Sequence, residues 1–125
     1  FGYKDGHALP AVPVDRRSYS VSPLLADAMR AFCDRAGFAG AGATEQLVFC
    51  RILAAVLNEA ALALGDQVAS REDIDTAMLK GTNYPKGPLA WIDEIGPRNV
   101  RGVLKGFCEA YGDGRYAAAR LVAEC

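Results

Sequence analysis

The chain has 125 residues, 51% of them hydrophobic, with 14 Lys and Arg against 15 Asp and Glu for a formal net charge of −1. That length and apolar content describe a single globular domain with a real core. A near-neutral chain without a basic run offers no electrostatic footprint for nucleic acid or an anionic membrane surface, so neither is expected as a partner.

The sequence opens on Phe1, and its first residues hold neither a charged n-region nor the apolar h-region of a secretory signal, so it reads as a fragment or processed piece. Residues 1–21 carry Pro10, Pro13, Gly2 and Gly6 and no helical period. They are expected to be a linker or the tail of a preceding domain, with residues 22–125 forming one helical domain. At Ser22-Pro23 the pattern changes. Ser22 suits an N-cap, Pro23 suits the first helical position, Leu25, Ala28, Met29, Phe32 and Ala36 follow at helical spacing, and Gly37 ends the element.

Thr44 offers a second N-cap for a helix over 44–64, in which Phe49, Ile52, Leu53, Val56, Leu57, Ala60 and Leu64 keep an amphipathic step. Leu47, Val48, Ala54, Ala55, Ala61 and Leu62 add apolar groups on other faces, so this helix is either central or covered by a partner. Arg51, Asn58 and Glu59 interrupt it, which leaves it short of a clean membrane span and predicts a buried helix of a soluble domain. Those polar groups need partners in loop backbone, in neighbouring residues or across an interface.

Ser70-Arg71-Glu72-Asp73 approximates a capping box for a third helix reaching Lys80 and stopping at Gly81. Residues 82–86 read as a loop, Gly87-Pro88 restarts a helix through Glu94, and Gly96-Pro97 stops it. Val100, Val103, Leu104, Phe107, Cys108 and Tyr111 form the stripe of the next helix, opposite Arg101, Lys105 and Glu109. Residues 115–125 can add a final turn or two, and no β-alternation of useful length occurs.

Constellations that could carry chemistry fail on context. Gly40-Ala41-Gly42 before the long helix has Glu45 where a dinucleotide loop needs its third glycine, and a helix rather than a strand precedes it, so it reads as a connector. The only histidine, His7, lies in the leader, and Cys50 sits in the long helix with no histidine nearby in sequence. Cys33, Cys50, Cys108 and Cys125 form no C-x-x-C and are expected as free buried thiols in a reducing compartment rather than zinc ligands. Glu72, Asp73 and Asp75 read as capping and dipole charges in a first helical turn rather than a metal cluster. No catalytic, cofactor-binding or metal residue is therefore expected in this chain.

Arg51-Ile52-Leu53, Leu57-Asn58-Glu59-Ala60, the run from Val68 through Ser70-Arg71-Glu72-Asp73-Ile74-Asp75 to Met78, the loop Gly81-Thr82-Asn83-Tyr84-Pro85-Lys86-Gly87-Pro88-Leu89, and Asp93-Glu94-Ile95-Gly96 follow one another over roughly residues 44–111. In order and spacing this stretch resembles the C-terminal domain of 3-hydroxyacyl-CoA dehydrogenases. The resemblance implies an all-α helical bundle with one long central helix, like the 6-phosphogluconate dehydrogenase C-terminal-like dimerisation domains. It implies a place behind an NAD-binding Rossmann domain in a cytoplasmic enzyme that oxidises (S)-3-hydroxyacyl-CoA to 3-oxoacyl-CoA in fatty-acid or aromatic-acid catabolism.

In that family the NAD site and the His–Glu pair that removes the hydroxyl proton belong to the other domain. This chain alone is accordingly expected to bind no NAD and to transfer no hydride, with NAD and the acyl-CoA substrate held by the full-length enzyme. The implied partner is another copy of the helical domain, in cis or as a homodimer. Family members usually carry an Asn before the Arg of the long helix, where it helps hold the substrate; here that substrate-binding position is Cys50, whose thiol cannot replace an amide's donors and acceptor. The departure fits a second, duplicated copy of the domain. The leader Phe1-Gly2-Tyr3-Lys4-Asp5-Gly6 is similar to the aromatic tail of a preceding helical domain, as in 3-hydroxybutyryl-CoA or phenylacetate-pathway dehydrogenases. Lys86 is expected in solvent rather than on a CoA phosphate. A reading of another class is a free-standing helical module that binds acyl-CoA or a protein partner without catalysis.

Overall fold

Ser22 opens the first helix, α1 (Pro23–Ala36), by accepting a hydrogen bond from the Leu25 amide, and Gly37 closes it in the left-handed conformation at φ 80°. The computed structural model describes residues 21–112 and 114–123, and among them every regular element is helical. The leader, its His7, and Cys125 lie outside the described residues. After α1 come α2 (Ala43–Gly65), α3 (Arg71–Gly81), α4 (Pro88–Ile95) and α5 (Pro97–Tyr111), then a 3-10 turn (Gly114–Tyr116) and a short α6 (Arg120–Ala123).

The second helix is the axle, packing against α1, α3, α4, α5 and α6. Its cap is Gly42 in extended conformation with no side-chain bond; Thr44, the cap expected from the sequence, lies inside the first turn because Ala43 already continues the helix. Its core-facing stripe is Leu47, Cys50, Leu53, Ala54, Leu57, Ala60 and Ala61, with Asn58 among them. By length and composition α2 is long and apolar enough to cross a membrane, more so than its three polar interruptions imply. In this fold one side of it is core instead, shared with Phe32 of α1, Leu89 and Ile95 of α4, Val100, Val103, Leu104 and Phe107 of α5, and Val122 of α6, all without exposed surface.

α3 buries no residue completely and is anchored at its start. Ser70 accepts from the Asp73 amide at 3.1 Å and donates its hydroxyl to the Asp73 carboxylate at 2.8 Å. Arg71 donates to the Leu89 carbonyl at 3.0 Å and pairs with Asp93, which ties the start of α3 to α4.

Asp75 departs from the expected role of a charge serving its own helix. Its two carboxylate oxygens accept from the Leu89 and Ala90 amides at 2.8 and 3.0 Å, so it caps α4, whose own N-cap Gly87 has no side chain to do so. A β-carbon on Gly87 would run into that carboxylate, which explains glycine at a position whose backbone angles suit any residue. Replacing Asp75 by alanine removes two charge-assisted bonds and is expected to lower stability by about 2–3 kcal/mol, with Asp75→Asn recovering part of it through its one amide oxygen. Urea unfolding of the three proteins checks this, and equal midpoints would refute the capping role.

Gly96 ends α4 and begins α5 at once, with φ 95° and ψ 127°, a region that only glycine enters without strain. Pro97 is therefore the first residue of α5 as well as the stop for α4. The α5 stripe buries Val100, Val103, Leu104 and Phe107 as its spacing predicts, while Cys108 and Tyr111 are half-buried at its border. α1 lies close along α5, since a β-carbon on Gly106 would press on the Leu25 side chain.

Candidate functional site

An apolar helix face left outside the core is the feature that function must explain. Because α2 turns Leu47, Cys50, Leu57 and Ala61 inward, Val48 and Ile52 of the next rows point out, 46% and 61% exposed. Of the expected stripe, Leu53, Leu57 and Ala60 are buried, whereas Ile52 is exposed and Phe49, Val56 and Leu64 are half-buried. Among the described residues, five neighbouring helices still leave this face open.

Hollows flank the ridge made by Val48, Ile52, Ala55 and Val56. On one side, Phe38, Phe49, Tyr84, Pro85 and Trp91 join Val48 and Ile52 around a groove of about 480 Å³ whose wall is almost wholly apolar. Phe38 stacks on Phe49 with ring centroids 4.1 Å apart, and Phe32 meets Phe49 edge-on from the core, so this wall is built on the close of α1. Further along, Ala55, Val56, Ala60, Ile74 and Met78 line a second hollow of about 430 Å³ between α2 and α3. A third, beside Val48, Ile52 and Ala55, is bordered by Arg51, Arg115 and Tyr116.

Two of the three polar residues that interrupt α2 find partners within the chain. Asn58 donates to the Ala117 carbonyl and accepts from the Ala119 amide, both at 2.8 Å, which matches the loop-backbone alternative. Arg51 donates from Nε to the Tyr116 hydroxyl at 3.1 Å and lays its guanidinium over the Tyr111 ring at 4.2 Å. Glu59 is exposed. Tyr111 and Tyr116 were not visible as partners of Arg51, because the contact spans 65 residues and no local periodicity announces it. Lys86, in the loop between α3 and α4, pairs with Glu94 of α4.

Cys50 has no exposed surface. Its Sγ lies 3.4 Å from Cys33 Sγ and 3.8 Å from the Met29 carbonyl, between α1 and α2 and away from the open face. Burial pushes its thiol well above the ordinary range, with the neighbouring Cys33 adding to the effect, and burial raises Cys33 as well. Both are therefore protonated, poor nucleophiles. Cys108 is half-buried rather than buried.

The fit of a dinucleotide can be judged at the one glycine-rich helix start. Gly42 caps α2, but the Glu45 carboxylate folds back against it, putting negative charge where a pyrophosphate would need free amides. What precedes is α1, not a strand. These residues do not fit NAD. Among the described residues no group of three His, Cys, Asp or Glu side chains could hold a metal ion.

Comparison with known proteins accounts for the bundle. A family model described as "3-hydroxyacyl-CoA dehydrogenase, C-terminal domain" matches residues 47–125. The chain is 42% identical over 76 residues to a 3-hydroxyadipyl-CoA dehydrogenase of Escherichia coli, covering 61% of this chain and 16% of that protein. It is 43% identical over 74 residues to a 3-hydroxybutyryl-CoA dehydrogenase of Clostridioides difficile, covering 59% of this chain and 26% of the relative. The crystal structure of a 3-hydroxybutyryl-CoA dehydrogenase from Escherichia coli superposes with a TM-score of 0.58 at 43% identity, over 59% of this chain and 16% of the other. That of an (S)-3-hydroxybutyryl-CoA dehydrogenase from Ralstonia eutropha gives 0.58 at 40%, over 59% and 26%. The chain thus spans between a sixth and about a quarter of the length of these relatives. With the family match running from α2 to the last residue over the helices that build the open face, the chain belongs to the 3-hydroxyacyl-CoA dehydrogenase C-terminal domain family.

Proposed function

We propose that this chain is the helical C-terminal part of a longer NAD-dependent enzyme that oxidises (S)-3-hydroxyacyl-CoA to 3-oxoacyl-CoA, and that its own contribution is a docking face rather than chemistry. The observation that carries this reading is the ridge of Val48, Ile52, Ala55 and Val56 on α2, apolar, outward-facing and flanked by grooves. Its occupant is another copy of the helical domain, in cis within the longer chain or in trans when the chain is alone. Residues 22–125 form the docking domain and residues 1–21 its connection to what precedes it. The names of the relatives support the substrate class, and bacterial relatives support a cytoplasmic setting.

Cys50, at the position of the family's substrate-binding Asn, then acts as a core residue, and its complete burial supports the assignment of this chain to a duplicated copy that has given up substrate contact. NAD is held by the preceding domain of the longer enzyme, which receives the hydride there. Breakdown of fatty or aromatic acids is the metabolic setting that suits this chemistry.

The test is sedimentation of the 125-residue chain over a range of concentrations, followed by calorimetric titration with acetoacetyl-CoA. Concentration-dependent dimer and no saturable heat are the expected results. A strict monomer would remove the docking role. Saturable binding would favour the second reading, a helical module that takes acyl-CoA by itself, which the size and apolar wall of the Trp91 groove support.

A further inference from the structure

Cys33 and Cys50 stand apart from the docking face and from the polar contacts that close the fold. One lies in the last turn of α1 and the other in the first half of α2, 17 residues apart in sequence, and neither has exposed surface. Their sulfurs touch at 3.4 Å with nothing between them. A disulfide needs about 2.05 Å, so a shift of about 1.4 Å brings them to bonding distance. The two helices are joined by residues 37–42, three of them glycine, so the short connection itself does not oppose this adjustment.

We propose that Cys33 and Cys50 form a reversible disulfide that locks α1 onto α2, with a small-molecule disulfide such as oxidised glutathione as the oxidant. One cysteine, as thiolate, attacks a sulfur of the oxidant, breaking its S–S bond and releasing one thiol. The second cysteine, as thiolate, then attacks the mixed disulfide at the protein sulfur and releases the other thiol. The two cysteines lose two protons and two electrons and gain one S–S bond; the oxidant is reduced to two thiols. Because both sulfurs are sealed in the core, where burial keeps them protonated, exchange proceeds through a form in which α1 has lifted from α2. Closure then places the second thiol against the first.

The bond would also act on the groove. The Phe38 amide donates to the Cys33 carbonyl at 2.8 Å, and Phe38 stacks on Phe49, the neighbour of Cys50 in sequence. Joining Cys33 to Cys50 therefore ties both sides of that aromatic wall together. In a reducing compartment the bond forms under oxidative conditions and is reversed afterwards.

The experiment equilibrates the chain in buffers of reduced and oxidised glutathione, quenches with acid, alkylates the remaining thiols and maps the peptides. The expected product is a linked pair containing Cys33 and Cys50, absent from a Cys33→Ala variant, with a thermal midpoint roughly 5–10 °C above that of the reduced chain. The half-buried Cys108 reports that oxidant is active, by forming a mixed disulfide in the same sample. Recovery of Cys33 and Cys50 as alkylated free thiols once Cys108 has exchanged would overturn the proposal, as would pairing of either with Cys108 or Cys125. The peptide map of the unaltered chain decides the matter even where the variant fails to fold.

Discussion

Replacing Asn58 by alanine is expected to lower the unfolding free energy by about 4 kcal/mol. Asn58 is 1% exposed and holds both ends of one backbone step, with the Ala117 carbonyl taking its amide hydrogen and the Ala119 amide donating to its oxygen. Alanine leaves the Ala117 carbonyl and the buried Ala119 amide without these partners, and each such loss costs about 1–3 kcal/mol. The missing side-chain volume adds a cavity term. The damage should be local first: the 3-10 turn and α6 are short, and they lean on α2 and α5 through Tyr116, Val122 and the bond from Arg101 to the Ala123 carbonyl at 3.0 Å. Amide exchange in residues 114–123 should accelerate before the rest of the domain loosens. Equilibrium urea unfolding measures the global loss. A variant within 1 kcal/mol of the parent, with unchanged exchange in that segment, would show that Asn58 does not pin the C-terminal end.

The contrast between what could be read from residues and what could not follows the range of the forces involved. Ser22-Pro23, Gly37, Ser70 and Gly96-Pro97 act on the nearest three or four residues, and the helices start or stop at them as their chemistry requires. The α5 stripe was equally plain because charged residues mark its outer face. On α2 this marking fails. Apolar residues surround most of the helix, so periodicity alone puts Phe49, Ile52 and Val56 in one stripe with Leu53, Leu57 and Ala60; packing buries the latter three with Leu47 and Cys50 and leaves the former at the surface or its border. Asp75 was misassigned for a different reason. A carboxylate in a first turn has an adequate local explanation, and its bonds to Leu89 and Ala90 depend on the fold of the loop between α3 and α4. The Cys33–Cys50 contact and the Arg51–Tyr116 bond likewise exist only once helices distant in sequence are packed. That the Cys50 sulfur turns toward Cys33 and away from the open face is visible only in the fold.

Changing Ile52 to glutamate is expected to weaken self-association at least 100-fold while leaving the folded monomer almost as stable as before. At 61% exposure, Ile52 contributes little to the core, and substitutions at such positions usually change stability by no more than about 0.5 kcal/mol. Glutamate is also a good helix former, so α2 itself is not weakened. In an interface centred on α2 the same position is covered, and a carboxylate placed there without a partner must either lose its hydration or hold the surfaces apart. A 100-fold change corresponds to about 2.7 kcal/mol, within the usual range for a central interface residue. Lys105→Glu on the exposed side of α5 is the control, since it changes charge by a larger amount on a face without the ridge. Sedimentation of the three proteins, with thermal midpoints taken alongside, separates the effects. Loss of association in the Ile52 variant alone, at an unchanged midpoint, locates the contact on the ridge of α2. Equal association of all three would mean that copies of this domain meet elsewhere, and that the apolar ridge is not the docking face.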